Sequence, residues 1–85
     1  MIKNHRPLIN AIITAFLFLE SSGDNEVNPD SAVRCMENIS ASLLALDESD
    51  QIALRSEFLN IASESKDDVH SKFVRELSDM IGLAS

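Results

Sequence analysis

The 85-residue sequence holds no Trp or Tyr, one Cys, two Gly and two Pro. A single cysteine excludes an internal disulfide and points to a reducing compartment, so a cytoplasmic location is expected. Two glycines leave no room for a Gly-rich phosphate loop. Basic residues are also scarce. Seven Lys plus Arg stand against fourteen Asp plus Glu, a formal charge of -7. Phosphate binding needs clustered Lys and Arg, so nucleic acid is not expected as a direct partner. The longest apolar run, Leu8 to Leu19, spans twelve positions and is interrupted by Asn10 and Thr14. A membrane span needs about 20 apolar residues, so no membrane partner is expected. Lys3 and Arg6 ahead of that run give it the look of a secretory leader. Pro7 at its start and the two polar interruptions instead favour a core helix.

What the chain does have is helix-forming composition. Apolar residues make up 45%, enough for a core. Ala, Leu, Ser and Ile are frequent, and no long stretch alternates apolar with polar residues, so strands are not expected. Four helices can be read, each with its own punctuation. The first runs from about Pro7 to Ser22 and ends at Gly23 in a left-handed conformation. It is apolar nearly all round, with only Asn10, Thr14 and Ser21 as a polar stripe, which marks a central helix. Asn28-Pro29 opens the second, an N-cap residue followed by proline at the first helical position. It runs to about Leu46, with a seam of Ala32, Met36, Ile39, Leu43 and Leu46 that Val33 and Leu44 widen. Asp47 and Asp50 form a capping-box-like start for the third, so the second and third helices are expected as an antiparallel hairpin. Asp67 caps the fourth, whose apolar face is Val69, Phe73, Leu77 and Met80, helped by Val74 and Ile81, and Gly82 ends it. The expectation is an all-α chain, a single domain over residues 1–85, built as a compact antiparallel bundle of about four helices.

Catalytic chemistry finds little to stand on. The loop Asp24-x-Glu26-x-Asn28-x-Asp30 alternates oxygen ligands like a calcium loop. Its sixth and twelfth positions, however, hold Pro29 and Cys35 where Gly and Glu are required. Cys35 has no oriented base beside it and reads as a buried or half-buried structural residue. His5 and His70 make neither a metal set nor part of a Ser-His-Asp arrangement. No cofactor, no metal site and no enzymatic activity are expected.

The charge is concentrated. Residues 20–50 hold eight acids against Arg34 alone, a net -7, while residues 1–19 carry +2 and residues 51–85 carry -2. Asp24, Glu26, Asp30, Glu37, Asp47, Glu48 and Asp50 are therefore the candidate partner-binding residues. Several of them also sit where an acid stabilises a helix N-terminus, so capping competes with binding as their purpose. The stretch Asn28 to Ile39, with Leu43, Leu46 and the Asp47-Glu48 break, resembles small acidic helical proteins of bacteria. Among these are the immunity or antitoxin partners of contact-dependent growth inhibition and other polymorphic toxins. The resemblance implies a cytoplasmic protein that binds and neutralises a basic toxin domain, such as a nuclease, and it carries no site residues across. A non-enzymatic helical adaptor that self-associates, for instance as a homodimer, is the alternative.

Overall fold

A computed structural model of the chain describes residues 4–85. They form four α-helices and, among the described residues, no strand: α1 (Arg6–Ser21), α2 (Pro29–Leu44), α3 (Glu48–Glu64) and α4 (Asp68–Ile81). The all-α class expected from composition is the class observed. The chain divides into two compact units, the first ending at Met36 and the second running Glu37–Ser85, so the division falls inside α2.

In the first unit, the Asn4 Oδ1 accepts from the Arg6 N–H (3.0 Å) and Pro7 lies in the first turn of α1. The helix does not end at a left-handed Gly23. Gly82 is the residue with positive φ among those described. Instead Ser22 turns extended, and the Ser21 and Ser22 hydroxyls donate to the Leu17 and Phe18 carbonyls. The last-turn acceptors are thus satisfied without a left-handed residue. Nor is α1 a central helix. Ile9, Ile13 and Phe16 are buried on one face, while Leu8, Leu17 and Phe18 are exposed, Phe18 to 52%. The polar stripe Asn10, Thr14 and Ser21 does face outward. It is too narrow to cover the solvent side, so Leu17 and Phe18 flank it in the open.

The second unit holds the last turns of α2, then α3 and α4. Helix α2 stops at Leu44, not Leu46. Ala45 and Leu46 fold into tight turns, their N–H groups donating to the Ser42 and Leu43 carbonyls. Ala32 is buried and Met36, Ile39 and Leu43 are half-buried, whereas Val33, Leu44 and Leu46 are exposed, so the covered seam is narrower than expected. The close helix pair in this unit is α3 with α4 rather than α2 with α3. The Ser71 hydroxyl near the start of α4 donates to the Ala62 carbonyl near the end of α3 (2.7 Å), and Arg55 early in α3 reaches Asp79 late in α4 (2.9 Å). The two helices are therefore antiparallel.

Their buried faces are Leu54, Phe58, Ile61 and Ala62 on α3 and Val74, Leu77, Ser78 and Ile81 on α4. The α4 face is turned about one residue step, roughly 100°, from the expected Val69–Phe73–Leu77–Met80 stripe. Val69 and Met80 are exposed as a result, and Ser78 is fully buried with no hydrogen-bond partner for its hydroxyl. Two adjacent apolar registers exist on α4, and close approach to α3 favours the one with the smaller Ser78. Gly82 adopts φ 90° as expected, and its N–H and that of Leu83 donate to the Ser78 carbonyl.

Two α3 side chains one turn apart tie the unit together. Gln51 Nε2 donates to the Leu44 and Leu46 carbonyls (3.1 and 2.9 Å), and its Oε1 accepts from the Ala84 N–H (3.0 Å). Arg55 donates to the Ala84 carbonyl through Nε (3.1 Å), to the Leu83 carbonyl through Nη2 (2.6 Å) and to Asp79 through Nη1.

Three outcomes follow for urea unfolding. Arg55→Ala lowers stability by about 1–2 kcal/mol, because two part-buried carbonyls lose charged donors. Asp79→Ala costs much less, because that carboxylate is 81% exposed. Equal losses would mean that the ion pair, not the carbonyl contacts, is what Arg55 contributes. Ser78→Ala raises stability by about 1 kcal/mol, since it removes a buried hydroxyl without a partner; a loss of that size would show that the hydroxyl is satisfied in solution.

Candidate functional site

All seven candidate carboxylates are exposed. The fold distributes them over two places and one helix. Asp24 and Glu26 lie in the turn between α1 and α2, where the Glu26 and Val27 N–H groups donate to the Gly23 carbonyl (2.9 and 3.1 Å). Glu26 Oε1 also accepts weakly from the Gly23 N–H at 3.4 Å. Asn28 caps α2 as expected, its Oδ1 accepting from the Asp30 and Ser31 N–H groups (2.9 and 3.2 Å). Asp30 is thereby fixed in the first turn, where its charge suits the helix dipole. Glu37 follows seven residues on, along the same face of α2 and about 10 Å away. Arg34 stands between the two on that face, four residues from Asp30 and three from Glu37.

Asp47, Glu48 and Asp50 form the second group, at the α2–α3 corner. Asp47 is the N-cap of α3. Its Oδ1 accepts from the Asp50 N–H (2.9 Å) and the Ser49 hydroxyl (3.0 Å). The backbone N–H of Asp50 is the largest cause holding the Asp47 carboxyl below its ordinary value of 3.8, and the Ser49 hydroxyl adds to it. Glu48 and Asp50 occupy the first turn beside it. Asp24, Glu26 and Asp30 belong to the first compact unit, and the other four to the second. Of the seven, Asp47 has a defined structural duty, Glu26 has a weak one, and Asp30, Glu48 and Asp50 complement helix N-termini. Asp24 and Glu37 have neither.

Cys35 is exposed on α2, contrary to the buried or half-buried position expected for it. It lies one residue off the seam, and one step around a helix is about 100°, enough to take a side chain from cover into solvent. His5 is exposed and His70 half-buried. Ser65 Oγ lies 3.2 Å from His70 Nδ1, a contact the sequence reading missed. It does not extend to a triad through Asp67. That carboxylate accepts from the Val69 and His70 backbone N–H groups (2.9 and 3.2 Å), capping α4, while the Asp67 N–H donates to Ser65 Oγ (3.3 Å). Among the described residues no group of three or more His, Cys, Asp or Glu is placed to hold a metal ion. No helix there is long and apolar enough to cross a membrane.

Sequence reasoning also missed Gln51 and Arg55. Their signal was present: a polar pair four residues apart on a helix, alongside the core residues Leu54 and Phe58. No protein-family model, curated protein or solved structure matches the chain.

The lowered Asp47 value sets a pH dependence. The stabilisation from this ionised cap is complete above the ordinary value of 3.8 and is lost as pH falls through the lower folded-state value. Asn caps helices as well as Asp but does not titrate. Asp47→Asn is therefore expected to leave the urea midpoint near neutral pH almost unchanged and to flatten its decline on acidification. A parallel downward displacement of the whole curve would instead mean that the Asn amide fails to replace the carboxylate as a cap irrespective of charge.

Proposed function

We propose that the chain is a non-catalytic binding protein of the immunity or antitoxin kind, one that occludes a basic toxin domain, in the simplest case a nuclease. The observation that carries this reading is the exposure of all of Asp24, Glu26, Asp30, Glu37, Asp47, Glu48 and Asp50 on a chain of charge -7. Carboxylates held on capped, hydrogen-bonded backbone are available to Lys and Arg without a large ordering cost. A nuclease surface that binds phosphate is itself basic, so the same surface can accept an acidic protein. Occlusion requires no catalytic residue in the inhibitor, and the reading places the chain in the cytoplasm, where such a toxin would act. With no Trp or Tyr to serve as anchors, binding leans on ion pairs and on smaller apolar contacts.

A second reading, a self-associating helical adaptor, is favoured by the exposure of Leu8, Leu17 and Phe18 on α1. Sedimentation of the isolated chain separates the two. A stable dimer, insensitive to salt, supports the adaptor.

The direct test uses the C-terminal domain encoded by the gene immediately upstream, purified and mixed with the chain. Binding is expected to weaken by about tenfold or more between low and moderate salt. The triple change Asp24→Lys, Glu26→Lys, Asp30→Lys should weaken it further while circular dichroism shows helical content retained. Absence of binding sinks the inhibitor reading. Wild-type affinity in the triple variant removes the loop before α2 from the contact.

A further inference from the structure

The α2–α3 corner combines three features. First, its acids stand in a stretch that holds no base. The segment from Cys35 to Leu54 holds Glu37, Asp47, Glu48 and Asp50 and no basic residue. The next base in sequence, Arg55, is engaged with Asp79 and with the Leu83 and Ala84 carbonyls. Second, the corner carries exposed apolar residues. Leu44 at the end of α2, Leu46 in the turn and Ile52 in α3 are each 39% exposed. Third, it is held in shape. Gln51 Nε2 binds the carbonyls of both leucines, Gln51 Oε1 accepts from the Ala84 N–H, and Asp47 caps α3. One side chain thereby fixes Leu44 and Leu46 beside the start of α3, with Ile52 adjacent to it in sequence.

We infer that this corner is a preorganised docking face for a basic amphipathic segment of a partner protein: an apolar anchor of the partner covers Leu44, Leu46 and Ile52, and its Lys or Arg residues pair with Glu48 and Asp50. Charge selects this occupant. A second copy of the chain brings -7 against -7, and an anionic membrane surface or a nucleic acid is repelled in the same way. Only a partner with positive charge around an apolar centre gains from both features. Asp47 contributes less, because its Oδ1 already accepts two hydrogen bonds. The fixed shape matters because little ordering is left to do on binding. The inference rests on the reading of the chain as a binder of basic protein, and it names the face and adds an apolar contribution that charge alone does not contain.

The test is a titration of the isotope-labelled full chain, followed by backbone amide NMR signals, with three synthetic helical peptides. One alternates Lys with Leu, one has the same charge with Ser in place of Leu, and one carries Glu with Leu. The Lys/Leu peptide should move the signals of residues 43–52. Its affinity should exceed that of the Lys/Ser peptide by about tenfold, the scale of burying two or three partly exposed aliphatic groups. The Glu/Leu peptide should not bind. In the variant Leu44→Ser, Leu46→Ser, Ile52→Ser the advantage of Leu over Ser in the peptide should disappear. Should that variant lose its helical signal, Glu48→Gln with Asp50→Asn serves instead, and weakens the Lys/Leu peptide several-fold with the fold intact.

Equal affinity for both basic peptides, with shifts centred on residues 24–30, overturns the corner and leaves acidic capture standing. Failure of both basic peptides to bind at low salt overturns the corner, while acidic capture stands or falls with the salt-dependent binding of the upstream-encoded domain. A dimer of the free chain that the triple-Ser variant abolishes would assign the corner to self-association and also overturn the inference.

Discussion

The second unit depends on hydrogen bonds made by two side chains of α3. Gln51 and Arg55, one turn apart, satisfy carbonyls at two helix ends: Leu44, the last residue of α2, with Leu46 just beyond it, and Leu83 and Ala84 after α4. A chain of 85 residues has little interior with which to fix its ends by packing alone. Polar groups that reach across segments therefore carry part of the specification. The burial of Leu83 goes with the returned C-terminus, and the shape of the α2–α3 corner goes with the amide of Gln51.

Features decided by neighbouring residues were legible in the sequence. Asn28, Asp47 and Asp67 cap the helices assigned to them, and Gly82 closes α4 with positive φ. Each N-cap depends on a side chain and a backbone group two or three residues apart, so sequence spacing contains the geometry. Features decided by packing were not legible. Helix α4 offers two apolar registers, and only its partner helix determines that Val74 and Ile81 turn inward while Val69 and Met80 turn out. Apolar content made α1 look central, but burial requires a surface to press against, and Phe18 lacks one. Gly23 looked like the end of α1 because glycine often ends helices; two serine hydroxyls satisfy the carbonyls instead.

The acidic residues show how far charge counting goes. Composition identified them, and the structure places all seven in solvent. What composition did not contain is their division of labour. Asp47 serves α3 directly, whereas Asp24 and Glu37 have no local backbone duty. Ion pairing with a partner would compete with capping at Asp47 but not at Glu37. Nor did it contain the apolar residues beside the corner acids, because Leu44, Leu46 and Ile52 read in one dimension as ordinary core positions.

The exposed position of Cys35 has a practical chemical consequence. It is the chain's one thiol, and solvent reaches it. Air oxidation can join two chains through it into a covalent pair that mimics reversible association. Hydrodynamic measurements therefore require a reductant, or a Cys35→Ser form. The same accessibility provides a single attachment point for a fluorophore or spin label on α2, so that a bound partner can be detected without introducing a new cysteine.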